Sequence, residues 1–80
     1  MTGPLRVFVD GRGVDVPPGS TALDAVRVAD PVVAEAVVAG ARVITDSRGL
    51  PVDAGAPSAA GHIYRVVAAR GRRPGGAAGA

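Results

Sequence analysis

The chain has no cysteine, no lysine and no tryptophan, and a single Phe, Tyr, Met and His. Without cysteine there can be no disulfide framework, no thiol nucleophile, no Cys-ligated iron–sulfur cluster and no Cys zinc site. One histidine and one glutamate are too few for a metal cluster, so neither metal nor cofactor is expected. No apolar run approaches the ~20 residues that a helix needs to span a bilayer. The N-terminal residues also lack the charged and apolar regions of a secretory leader. The cytoplasm is therefore the default expectation, with no membrane partner. Acid–base constellations are missing too: Ser20, Ser47 and Ser58 stand at no recognisable spacing from His62. Gly11-Arg12-Gly13 joins two expected strands, whereas a phosphate loop leads into a helix. Catalysis by this chain is not expected.

What is present is 80 residues, rich in Val, Ala, Gly and Arg, enough for one small domain. A core of Val and Ala has little bulk, and such a domain is marginally stable unless it is well packed or bound. Charge is unevenly placed. Residues 1–69 hold six arginines against seven acidic residues, a balance of −1, and Arg70, Arg72 and Arg73 raise the chain to +2. A nucleic-acid partner would want a basic face on the body, which is near neutral, so none is expected. The exclusive use of Arg, with abundant Ala, Gly and Val, fits the codon usage of a GC-rich genome.

The chain is organised around Leu5 to Val26. Leu5, Val7 and Val9 alternate with Arg6, Phe8 and Asp10, the period of a half-buried strand. Asp10-Gly11-Arg12-Gly13 supplies turn residues, Val14 and Val16 resume the alternation, and Pro17-Pro18 ends it. Ser20 or Thr21 can cap the helix that follows, with Asp24 completing a box from Thr21. Asp30-Pro31 reads as an N-cap and first helical residue, so 21–39 is one kinked helix or two short ones. Gly40 closes that element. Strands are expected near 42–45 and 62–69, with a turn at 46–49, a short edge at Leu50-Pro51-Val52 and a loop over 53–61. Leu5, Val7, Val16, Leu23, Val26 and Val37 form the expected core. Phe8 points to the other side of the sheet, and Ile44 is expected to join it in a protein-docking patch.

The order of elements, carried by VDGRGVDVPPGSTALDAV, VITDSRGLPV and AAGHIYRVVAA, resembles the ubiquitin-like β-grasp superfamily. It is most similar to the small sulfur carriers of thiamine and molybdopterin biosynthesis. That resemblance implies an α+β, β-grasp fold, in which a four- to five-stranded mixed sheet carries one kinked helix on one face. Residues 1–69 would be the domain and 70–80 a disordered tail. It also implies a carrier activated at a C-terminal diglycine, here Gly75 and Gly76, with Arg70, Arg72 and Arg73 in tail recognition. The partners would be an adenylating enzyme and a processing protease, because Ala77 to Ala80 follow Gly76 and must be cut away to free its carboxylate. The pattern is departed from at His62, where the carriers usually have Asp, and at Ser58, where an apolar residue usually tucks under the loop. The alternative is a non-catalytic binding module with an unprocessed tail and an unidentified protein partner.

Overall fold

The first reversal of the chain takes only two residues. In the computed structural model, which describes residues 3–69, Asp10 (φ 51°) and Gly11 (φ 83°) both lie in the left-handed region. Two consecutive residues of that kind give a tight hairpin whose twist matches its strands. β1 (Leu5–Val9) and β2 (Arg12–Val16) pair antiparallel, with Leu5 opposite Val16 and Val9 opposite Arg12. Arg12 and Gly13, expected in the turn, already belong to the ladder, and the returning strand starts earlier than its valines suggest.

Asp30 divides the helical stretch in two. α1 (Ala22–Ala29) ends and α2 (Pro31–Val38) begins around this one residue, whose backbone is extended (φ −161°, ψ 101°). Its N–H donates to the Val26 carbonyl, and its carboxylate accepts from the N–H groups of Val32 and Val33. Pro31 has no N–H to satisfy. The single kinked helix is thus corrected to two short ones, because a capping carboxylate followed by proline satisfies a fresh N-terminus and cannot continue the old helix. Gly40 (φ 85°) ends α2 in a Schellman arrangement, with its N–H on Val37 and that of Ala41 on Ala36.

β3 (Arg42–Asp46), β4 (Pro51–Val52) and β5 (Ile63–Ala68) complete a five-stranded sheet in the order β2-β1-β5-β3-β4. β1 and β5 run parallel and the other neighbours antiparallel. α1 packs on β1 and β2 and α2 on β3. The molecule is a small α+β domain, a mixed sheet with two helices on one face, and it is compatible with a β-grasp plan. Among the described residues no helix is long and apolar enough to cross a membrane.

The core confirms the alternation in β1 and corrects it in β3. Val7, Val16 and Val26 are fully enclosed, while Leu5, Leu23 and Val37 pack at its margin. Ala22, Ala25 and Ala34 are buried as well, and their small size lets the helices lie close to the sheet. Ile44, expected on the open face, is 2% exposed. It stands opposite Val66 and Val52, which face the helices, so it is Val43, opposite Val67, that points outward. Truncating Ile44 to Ala should therefore cost about 2–5 kcal/mol in urea unfolding. Leu23→Ala, at a half-buried position, should cost less. A neutral Ile44→Ala variant would contradict this register.

Candidate functional site

The uncovered face of the sheet gathers side chains from three strands. Phe8 lies there as expected, opposite Gly13 of β2. A Cβ at Gly13 would stand 3.3 Å from the Phe8 ring and 3.1 Å from the Arg6 guanidinium, so the glycine leaves room for both. Ile63 (48% exposed) is the partner of Phe8 on β5, and Val67 (42%) and Val43 (37%) pair across β5 and β3. Arg65 lies between Ile63 and Val67. Arg6 binds the Asp15 carboxylate at 2.7 Å. The patch therefore consists of Phe8, Ile63, Val67 and Val43, and Ile44 is not part of it. These apolar side chains form two cross-strand pairs, Phe8 with Ile63 and Val43 with Val67, on one face of the sheet.

β5, which supplies Ile63, Arg65 and Val67, is also the strand from which the chain leaves the sheet. Its last described contact is the Ala69 N–H on the Ala41 carbonyl. Arg70, Arg72, Arg73, Gly75 and Gly76, the tail residues singled out by sequence, lie outside the described residues.

A third feature ties the 53–62 loop to the start of α1. The N–H groups of Ala22 and Leu23 donate to the carbonyls of Ala56 and Ala54, and that of Asp24 donates to the Thr21 hydroxyl. The Asp24 carboxylate accepts in return from the Thr21 N–H. Thr21 is therefore the cap. Ser20, the other candidate, instead donates its hydroxyl to the Pro17 carbonyl. Within the loop, the Ser58 hydroxyl is 3.0 Å from the Tyr64 hydroxyl, which is 3.0 Å from His62 Nδ1. Nδ1 also receives the Ala59 N–H. A backbone N–H can only donate, so Nδ1 is the unprotonated nitrogen. Tyr64 donates to it and accepts from Ser58.

Ser58 and His62, noticed separately in the sequence as departures from the carrier pattern, are thus two ends of one hydrogen-bonded strut. Tyr64 joins them, and its mixed strand gave no signal of that role. The strut holds a loop. Its serine proton points at a phenol rather than at a base, which is not the arrangement of a nucleophile. Among the described residues no group of three or more acidic or histidine side chains could hold a metal ion.

Comparison with family models, with curated proteins and with solved structures finds no match to this chain. The site must be read from its own geometry.

At the far edge, the Asp46 carboxylate closes the β3–β4 turn. It accepts from the N–H groups of Leu50 and Arg48 and from the Arg48 guanidinium. The Leu50 N–H, helped by Arg48, holds this carboxyl below the usual aspartate range. Its stabilising effect is present above the unfolded-state value and is lost as the pH falls through the depressed folded one. Following its carboxyl resonance by NMR should show a downshifted titration, and Asp46→Asn should flatten that part of the acid stability profile. Tyr64→Phe strands the Ser58 hydroxyl and leaves His62 Nδ1 with the Ala59 N–H alone, and should cost about 1–3 kcal/mol. It should also raise amide exchange across residues 56–62. Exchange unchanged there would show that the strut does not hold the loop.

Proposed function

We propose that this chain is a ubiquitin-like or sulfur-carrier protein of the β-grasp kind, used through the carboxylate of Gly76 once residues 77–80 have been removed. The observation that carries this reading is the double role of β5. It runs between β1 and β3, presents Ile63, Arg65 and Val67 on the open face, and leads at Ala69 into the arginine and diglycine segment. A partner docked on the apolar patch would lie beside the point where that segment leaves the domain.

The chemistry asks little of the carrier itself. Gly75 and Gly76 have no side chains, so that stretch can enter a channel too narrow for other residues. There the freed carboxylate attacks the α-phosphate of ATP and pyrophosphate leaves, giving an acyl adenylate. Arg70, Arg72 and Arg73 supply positive charge to steer the segment toward an acidic groove. Catalysis belongs to the adenylating enzyme and a processing protease. Because the chain has no lysine, it cannot receive a copy of itself through a side-chain isopeptide bond. A second reading, favoured by the same patch, is a binding module that uses Phe8, Ile63, Val67 and Val43 and leaves its C-terminal segment unused.

Mass spectrometry of the protein from its native host separates the two. The carrier reading expects a mature chain ending at Gly76, and adenylation by the host's activating enzyme that Gly76→Val abolishes without altering the melting curve. Phe8→Ala should weaken capture by that enzyme while the domain stays folded. Recovery of only chains that continue past Gly76, in a host carrying such an enzyme, would sink the carrier reading and leave the binding module.

A further inference from the structure

We infer that the apolar patch on the sheet also has a partner in a second copy of this chain, which lays the outer side of α2 across it and pairs Glu35 with Arg65. The inference is independent of the diglycine chemistry and begins from α2. Its sequence, PVVAEAVV, holds a single charged residue. A helix apolar on nearly every side is normally one that is covered on every side. Here Ala34 is buried against the core, yet Val32 is 77% exposed and Val38 61% exposed. Glu35 lies between them, three residues from each and on the same outward side. Among the described residues Glu35 has no ion-pair or hydrogen-bond partner for its side chain.

The open sheet face has the complementary design. Arg65 lies midway between Ile63 and Val67 on β5, with Phe8 and Val43 on the strands to either side. It too makes no ion pair or side-chain hydrogen bond among the described residues, whereas Arg6, Arg27 and Arg48 each contact an aspartate. Val32 and Val38 are separated by about 9 Å along the helix axis, a stretch that fits within the about 13 Å between Ile63 and Val67 along the strand. A helix laid on a sheet is also how each copy builds its own core.

Charge selects this pairing over the symmetric ones. α2 against α2 would bring Glu35 toward Glu35, and sheet against sheet would bring Arg65 toward Arg65. Only helix on sheet sets opposite charges together, and burying the pair among apolar groups strengthens their attraction. The two surfaces are on opposite sides of the domain, so the contact is head-to-tail and can be repeated by each added copy. A molecule in such a chain has its patch covered, which puts self-association in competition with any other partner of that face.

Sedimentation velocity of the full chain from about 10 μM to about 1 mM covers the range of small transient interfaces. It should show reversible growth beyond the monomer that salt weakens. Glu35→Arg and Arg65→Glu, both at exposed positions and checked for unchanged melting, should each weaken association by about tenfold or more. Mixing these two variants should restore it, because every junction in an alternating chain again joins opposite charges. Three results would overturn the proposal: a monomer at all concentrations, single reversals without effect, or association that the mixture fails to restore.

Discussion

The arrangement on which the rest of the molecule depends is the backbone latch between the 53–62 loop and the first turn of α1. Helices begin with N–H groups that have no partner within the helix. Here the carbonyls of Ala54 and Ala56 take two of them, and the Thr21–Asp24 box takes care of the third and of the cap itself. A loop of small residues with no periodicity is thereby fixed to the helix, and the Ser58–Tyr64–His62 strut fixes its other side to β5. The Gly61 N–H also donates to the Arg6 carbonyl, so one short segment connects α1, the N-terminal hairpin and the central strand. With a core made largely of valine and alanine, hydrogen bonds placed in this way do much to select one structure out of the loosely packed alternatives.

The two layers divide the work. Alanines at 22, 25 and 34 bring the helices down onto Val7, Val9, Ile44, Tyr64 and Val66. The same small residues leave neither layer thick. Apolar side chains remain on both outer surfaces, at Val32 and Val38 above and at Ile63, Val67 and Val43 below. A domain with so little interior hides a smaller share of its apolar surface than a large one. In this one the remainder is grouped, and at the middle of each group stands a charge, of opposite sign in the two, that has no side-chain partner among the described residues. The carrier reading uses the lower surface and the neighbouring chain exit. The self-association reading uses both surfaces together.

Parts of this were legible from local chemistry. The β1–β2 hairpin, the box at Thr21, the break at Asp30-Pro31 and the stop at Gly40 each depend on residues adjacent in the chain, and each was readable from them. Phe8 could be assigned to the open face because the alternation in β1 is clean. Ile44 was placed on the wrong face, since VITD in β3 offers apolar or β-branched residues on both sides and only the pairing with β5 chooses between them. Ile63, Arg65 and Val67 were invisible as a site for the same reason. The roles of Ser58, His62 and Tyr64 escaped because a hydrogen-bonded strut has no periodicity.

By itself, then, the sequence determined what short-range geometry and composition control. Positive-φ turns, caps, the proline break and the exclusion of thiol chemistry all follow from residue type and near neighbours. Tertiary structure decided what depends on register across strands distant in the chain. It chose which face of β3 and β5 is buried, tied the 53–62 loop to α1, and put Phe8 beside Ile63 and Val43 beside Val67 on one face of the sheet. The physical reason is that a strand presents alternate residues to opposite faces, so where both sets are apolar only the partner strand settles which one meets the helices.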